Sequence, residues 1–362
     1  MKESARYVQA RPFLYEEDIA SVNEVLRSGH LEEGSYVKAF EERISEYQSK
    51  KYTCVTMNGF SAIHLSLIAM NVGRGDEVII PAYTCPALLY PIRLTGAKPV
   101  FADIAPNSFN LSKETIESMM SKKTKCVIWP HMFGFPADME NIGKWKKMVI
   151  EDVAQAMGGS LNGKKLGSLT DICVSSFYAS KNTTAGDGGA VSTNSKRIYE
   201  AVFEYRYYGG KKKLKDGQYY NYKMTNLNAG LGLSQMNNVD RLTAERVKIA
   251  GWYDQRMKQY GGTMHIDFHN KQQSCYHKYP VLFPSAKMRD RFRDELRKEG
   301  VNCGYGVLEG LHRIKGTARF GSLKQTDSYL KRILCLPIYP GLTEEDIDVI
   351  MSRFAKVYKS IV

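Results

Sequence analysis

The 362-residue sequence contains no run of about 18 apolar residues, so no membrane span is expected. Its opening, MKESARYVQARPF, lacks the apolar stretch of a secretory leader, and a cytoplasmic protein is expected. No two cysteines are spaced C-x-x-C. The seven (Cys54, Cys85, Cys126, Cys173, Cys275, Cys303 and Cys335) are odd in number, and several sit in apolar runs such as CVIW and ICVSSF, so they read as reduced core thiols, not a disulfide framework. The seven histidines are scattered, and the one close pair, His265 and His269 in MHIDFHN, lacks the helical setting of a zinc site, so no metal is expected. Internal repeats and low-complexity linkers are also missing. Acidic residues fall short of basic ones, 38 against 51, and the net charge of +13 favours an anionic partner. The basic residues are nevertheless spread along the chain without a helix-turn-helix, zinc-finger or RNP pattern, so nucleic acid is not expected. A phosphorylated small molecule or a merely basic surface accounts for the charge equally well.

What is present is an ordinary globular composition, long enough for two domains. Between about residues 50 and 195, short β-branched or aromatic runs alternate with amphipathic segments at βαβ spacing. The strands are expected in YTCVTM, DEVIIP, KPVFADI, KCVIWPHM, KMVIEDVAQ, DICVSSF and GGAVST. The expected fold class is therefore α/β: a large domain, residues 1–245, with a central, mainly parallel seven-stranded sheet flanked by helices, and a smaller C-terminal α+β domain, residues 246–362. Helical spacing from Asn228 to about Tyr260 predicts one long helix bridging the two. In the small domain, a strand is expected in CYHKYPVLF, a helix in AKMRDRFRDELRKEG, and a last helix capped by Thr343.

Ligands of open α/β sheets bind beyond the carboxyl ends of the strands. After the first strand comes NGFSA, whose helix start would suit a phosphate or simply cap a helix. After MVI come Glu151, Asp152 and Gln155 in EDVAQA; a carboxylate buried there needs a cation. After ICVSSF comes SSFYASKNTTAGDGGA, in which Ser176 precedes Lys181 by five residues. Its lysine precedes the glycines, so this is not a Walker loop. A lysine among apolar neighbours can have its pKa lowered and, as a neutral amine, form a Schiff base; one beside glycines is more often a solvated loop residue. A phosphate cradle, an acid and a lysine together match the needs of pyridoxal 5′-phosphate.

The phrases NGFSAIHLSL, GRGDEVIIPAYT, GAKPVFADI, HMFGFPADM, IEDVAQAMGG, GKKLGSLTD, SSFYASKNTTAGDGGAV, NYKMTNLNAGLGLSQ and CLPIYPGLTEED occur in order along nearly the whole chain. In this combination the sequence resembles the DegT/StrS nucleotide-sugar aminotransferases, pyridoxal-phosphate enzymes of the aspartate-aminotransferase-like fold. The resemblance implies that Lys181 bonds the cofactor and shuttles the proton, that Asp152 pairs with the pyridinium nitrogen, and that Gln155 meets the ring hydroxyl. It further implies that Ser176 and the backbone at Phe60 and Ser61 hold the phosphate. Asn221 would serve a neighbouring subunit's phosphate, which implies a homodimer with shared active sites. Glutamate as donor and a nucleotide-linked keto-sugar as acceptor are implied in the same way.

The chain departs from that pattern in four places. Asn58-Gly59-Phe60 stands where serine, glycine and threonine are usual. Cys85 replaces the ring-stacking aromatic, for which Tyr83 is the candidate substitute, Lys223 replaces an arginine, and Met157 replaces a histidine. Two other readings are a sugar dehydratase, whose relatives carry histidine where this chain keeps Lys181, and a non-catalytic regulator of the same fold. The basic run GGKKKLKDG before Asn221 is a candidate contact for a diphosphate or a plain solvated loop. His277, Tyr305 and His312, as lone residues, read as structural.

Overall fold

The structure is a computed structural model that describes residues 6–139, 142–143, 145, 148–208, 219–263, 274–316 and 318–361. The basic run at 209–217 and the pair His265 and His269 lie outside the described residues. In chain order the elements are α1 (Glu16–Ser28), α2 (Ser35–Tyr47), β1 (Tyr52–Thr56), α3 (Gly59–Ala69), β2 (Glu77–Pro81), α4 (Leu89–Leu94), β3 (Lys98–Ala102), α5 (Lys113–Glu117), β4 (Thr124–Pro130) and β5 (Val149–Asp152). A two-residue hairpin, β6 (Ser160–Leu161) and β7 (Lys164–Lys165), leads to β8 (Ile172–Ser176), β9 (Gly189–Thr193), α6 (Lys196–Tyr205), α7 (Asn226–Asn237) and α8 (Val239–Met257). Then follow β10 (Tyr279–Leu282), α9 (Ala286–Lys298), β11 (Gly304–Tyr305), β12 (Arg319–Phe320), α10 (Lys324–Arg332), β13 (Ile333–Leu336) and α11 (Glu344–Ile361).

The seven strands expected for the large sheet all form, in the order β1-β9-β8-β5-β4-β2-β3, and an eighth, β12, is added beyond β3. It pairs parallel to β3 through Arg319 and Phe320. A two-residue strand in a glycine-flanked loop carries no period for a sequence pattern to register, which is why seven were expected. Only β9 runs antiparallel, to both β1 and β8. The residues of β2, β5 and β9 are buried throughout, as strands covered by helices on both faces must be. The other sheet, β10-β13-β11, is antiparallel and packs with α8, α9 and α11 around Phe283, Phe292, Leu296 and Phe354. Among the described residues no helix is long and apolar enough to cross a membrane.

The long helix expected from Asn228 to Tyr260 is two helices meeting at Asn238, whose φ of −99° and ψ of 8° close α7 and open α8. Its side-chain amide turns back to the Ser234 carbonyl at 3.2 Å, the local competition that makes asparagine a poor helix interior residue. Residue 245 falls inside α8, so that helix is shared by the two expected domains.

One buried charge cluster ties α6 to the sheet edge. Arg206, 2% exposed, reaches Glu33 at 2.6 Å and Glu41 at 3.5 Å and donates to the Val55 carbonyl at 2.9 Å, while Glu41 accepts the Val55 N–H. Burial pushes the Glu41 carboxyl up to about 7 against the pull of Arg206 and the Val55 N–H; Glu33 and Glu42 add to the rise. The folded state therefore holds a proton that the unfolded chain releases near the ordinary value of 4.5. Stability from this group is full below that value and is lost as pH rises through about 7. Relative to Glu41→Gln, the parent protein is expected to lose on the order of 1–3 kcal/mol between pH 4.5 and 7.5. Urea unfolding at stepped pH checks this, and parallel curves for the two proteins would count against it.

Candidate active site

The site forms where the carboxyl ends of β1, β4, β5 and β8 meet the start of α3. Because β9 runs antiparallel, its first residue, Gly189, lies opposite both Thr56 and Ser176 at that same end. A side chain at Gly189 would overlap the Asn58 carbonyl, and a Cβ on Gly59 would come within 2.8 Å of the Ser176 Cβ. The turn into α3 thus rests directly on the sheet, and only glycine at these two points allows it. Asn58 caps the helix, its Oδ1 accepting the Ser61 N–H at 2.9 Å and the Ser61 hydroxyl at 2.8 Å. The N–H groups of Gly59 and Phe60 have no partner within the helix, and with the helix dipole they favour an anion. The Ser176 side chain makes no hydrogen bond among the described residues and faces the same cavity.

That cavity has a volume of about 280 Å³. Asp152, Gln155, Lys181, Cys85, Phe60 and Ser176 all line it, so six of the nine expected residues come together. Strand alternation separates the two adjacent acids. Asp152 faces the cavity, 3% exposed, accepting the Ala154 N–H at 2.8 Å. Burial raises its pKa, opposed first by that N–H and then by the charge of Lys181. Lys181 follows a tight turn in which its N–H reaches the Tyr178 carbonyl at 2.9 Å. It is half-buried, and removal from water lowers its pKa against the attraction of Asp152. Gln155 Oε1 accepts the Phe133 N–H at 3.0 Å.

Glu151 points the other way, fully buried. It accepts N–H groups from Gly167 at 2.5 Å, Leu169 at 3.0 Å and Thr170 at 3.2 Å, and lies 3.2 Å from His131 Nε2. His131 Nδ1 accepts the Ala137 N–H at 2.8 Å, so the proton sits on Nε2 and is donated to Glu151. His131 also lines the cavity and was not anticipated from sequence. Its signal was a histidine directly after the apolar run KCVIWP, at a strand's carboxyl end.

Three expected residues lie outside the cavity lining. Ser61 has spent both its donors on Asn58, so the backbone of Gly59 and Phe60 and the Ser176 hydroxyl make up the cradle. Tyr83 is buried among Phe109, Phe133 and Tyr329 and does not face the space beside Cys85, which is itself exposed. Asn221 is exposed, bridged to Tyr207, and does not line this chain's own cavity. His277 is buried beside Asn182, Tyr305 hydrogen-bonds Asp290, and His312 lies 3.3 Å from Asp327.

The arrangement fits pyridoxal phosphate. A glycine-shaped, helix-capped cradle with an uncommitted hydroxyl lies at one end, and a buried carboxylate and an amine forced toward neutrality line the same space. The family model of the DegT/DnrJ/EryC1/StrS aminotransferases matches residues 12–355. A GDP-perosamine synthase of Escherichia coli O157:H7 is 33% identical over 96% of this chain and 97% of its own length. The UDP-2-acetamido-2-deoxy-3-oxo-D-glucuronate aminotransferase of Pseudomonas aeruginosa is 31% identical, covering 91% of this chain and 93% of its own. The PLP form of a putative sugar aminotransferase from Streptococcus pneumoniae, Spr1654, superposes with a TM-score of 0.88 at 26% identity, over 98% of each chain. The family's enzymes depend on pyridoxal phosphate. With the family model matched over residues 12–355 and relatives of 30% identity or more covered nearly end to end, this chain belongs to the DegT/DnrJ/EryC1/StrS aminotransferase family.

Proposed function

We propose that the protein transfers an amino group from glutamate to a keto-sugar carried on a nucleotide diphosphate, in two half-reactions at one site in the cytoplasm. Bound pyridoxal phosphate supplies an aldehyde to take the amine and a protonated ring to accept electrons. The observation that carries the reading is that Lys181 and Asp152 line the same cavity, which also takes in the start of α3. Lys181, whose pKa burial lowers, is the nucleophile and, once released, the base that moves the proton. Asp152 keeps a positive charge on the group in front of it, and Gln155, held by the Phe133 N–H, orients it. Ser176 with the Gly59 and Phe60 N–H groups anchors an anion, and Cys85 lines the cavity where the resemblance expects an aromatic residue. The exposure of Asn221, which does not line its own cavity, supports service to a second copy's site, and hence a homodimer. The sugar relatives support the acceptor class.

Excess glutamate added to the holoenzyme is expected to convert the visible chromophore to the amine form with release of 2-oxoglutarate. Absence of conversion with any amino acid would leave the regulator reading standing. Water loss from a keto-sugar nucleotide without amine transfer would favour the dehydratase, though retention of Lys181 argues against it. Asp152→Ala is expected to cut turnover about 10²–10³-fold while cofactor retention changes far less. Steady-state rates alongside cofactor dissociation distinguish the two, and an equal fall in both would refute the assigned role.

A further inference from the structure

The amine of Lys181 makes no hydrogen bond among the described residues, so its place in the cavity is set by the backbone that carries it. That backbone turns at Tyr178, whose carbonyl accepts the Lys181 N–H at 2.9 Å, and rejoins the sheet where the Ala185 N–H meets the Phe177 carbonyl at 2.8 Å. Between these points the chain forms neither helix nor strand. One side chain in the loop ties it to a segment more than ninety positions away. Asn182, directly after Lys181, is 6% exposed. Its Nδ2 donates to the Cys275 carbonyl at 3.3 Å and to Cys275 Sγ at 3.1 Å, and its Oδ1 lies 3.2 Å from His277 Nδ1. With the amide nitrogen turned to Cys275, Oδ1 can only accept, so His277 carries its proton on Nδ1 and donates it. Both ends of the amide are committed, and Cys275 and His277 are buried with it.

The segment that receives Asn182 is itself held. Ser274 Oγ and the Cys275 N–H both donate to the Gly134 carbonyl, at 2.9 and 3.1 Å, and the Lys278 N–H donates to the Phe133 carbonyl at 3.2 Å. Gly134 has a φ of 88°, and a Cβ there would come within 2.8 Å of the His277 nitrogen and 2.9 Å of Cys275 Sγ, so glycine lets the two segments touch. Phe133, left-handed at a φ of 59° and a ψ of 13°, donates its N–H to Gln155 Oε1 at 3.0 Å. Residues 274–278 are therefore fastened to the Lys181 loop through Asn182 and to Gln155 through Phe133. Lys181 and Gln155 line the cavity, whereas Asn182 and His277 do not. Neighbouring Cα atoms stand about 3.8 Å apart, so movement of the Asn182 anchor passes directly to Lys181. Misplacing a reacting atom by about 1 Å costs on the order of 100-fold.

We propose that Asn182 is a positioning residue: by fixing its loop to residues 274–278 it holds the Lys181 amine where it condenses with the cofactor's aldehyde. In that step the amine nitrogen bonds the aldehyde carbon, and the aldehyde oxygen leaves as water with the two amine protons. This rests on the transfer reaction proposed above, in which Lys181 is the nucleophile. The test separates condensation from binding. Full-length protein freed of cofactor is reloaded with pyridoxal phosphate, and growth of visible absorbance reports condensation. Pyridoxamine phosphate, which has an amine in place of the aldehyde and cannot condense, reports the fit of the cavity by calorimetry. Asn182→Ala is expected to slow condensation at least about tenfold while binding pyridoxamine phosphate within about threefold of the parent. His277→Ala removes the other end of the contact and should slow condensation too, and the double variant should be no slower than the slower single one. His277→Gln keeps an N–H donor for Oδ1 and should stay within about threefold of the parent. Equal condensation rates in the parent and Asn182→Ala overturn the inference. Parallel losses of condensation and of pyridoxamine phosphate binding overturn it as well and leave Asn182 a support of the fold. Should Asn182→Ala not fold, His277→Ala decides, and condensation there at the parent rate is equally fatal. If the parent condenses and the variants match it, only this inference fails; if the parent never condenses with pyridoxal phosphate, the transfer reaction fails first.

Discussion

Lys181→Ala is expected to lower amine transfer by about 10⁴-fold or more while leaving the unfolding midpoint nearly unchanged. The two effects separate because of where the side chain sits. Half-buried against an open cavity, its ammonium makes no hydrogen bond among the described residues, so truncation leaves no packed void and strands no donor. What is lost is a cavity amine whose pKa burial lowers toward its nucleophilic form. Lys181→Arg should fail as completely, because a guanidinium stays protonated and cannot condense with an aldehyde. Borohydride treatment followed by peptide mass analysis provides a check independent of rate, with a pyridoxyl adduct on Lys181 in the parent and none in either variant. A Lys181→Ala protein within tenfold of the parent rate would remove the lysine from the chemistry.

The largest stability effect is expected at Glu151, which faces away from the cavity. Truncation to alanine would leave the N–H groups of Gly167, Leu169 and Thr170 and the Nε2–H of His131 without their acceptor, all in surroundings closed to water. Removing the charged member of such a buried network costs about 3–5 kcal/mol, a large fraction of a domain's stability. The pH dependence has the opposite sign to that of Glu41. Burial acts to raise the Glu151 pKa, but His131 and the surrounding N–H groups outweigh it and hold the carboxyl below its ordinary 4.5. Its contribution is therefore complete above that value and is lost as the solution is made more acidic. Denaturant unfolding at pH 7 measures the size, and a Glu151→Ala loss under about 1 kcal/mol would show that water or relaxation replaces the carboxylate. Because His131 lines the cavity next to Asp152, the same variant should also slow turnover.

The strands were legible because burial on both faces turns them into short apolar runs, and Asp152 and Lys181 because polar residues at the ends of such runs are conspicuous. Glu151 and Asp152 were not distinguishable by chemistry. Strand alternation, together with the loop at 167–170 that closes around one of them, decides which acid meets the lysine and which meets three N–H groups. Ser61 looked like a phosphate ligand until the cap formed by Asn58 claimed its hydroxyl and its N–H. Tyr83 looked like a substitute for the missing aromatic, but packing against Phe109, Phe133 and Tyr329 turns it into the core.

The residue order alone thus determined the α/β class, the position of the cavity at the strand ends, and the lysine and carboxylate that line it, since each is written in local pattern and spacing. Only the folded chain decided which backbone groups open onto the cavity, that His131 reaches both that cavity and Glu151, and that Tyr83 packs among Phe109, Phe133 and Tyr329. Those contacts join segments distant in sequence, and which of them form depends on how side chains fill shared space, a property that no local stretch contains.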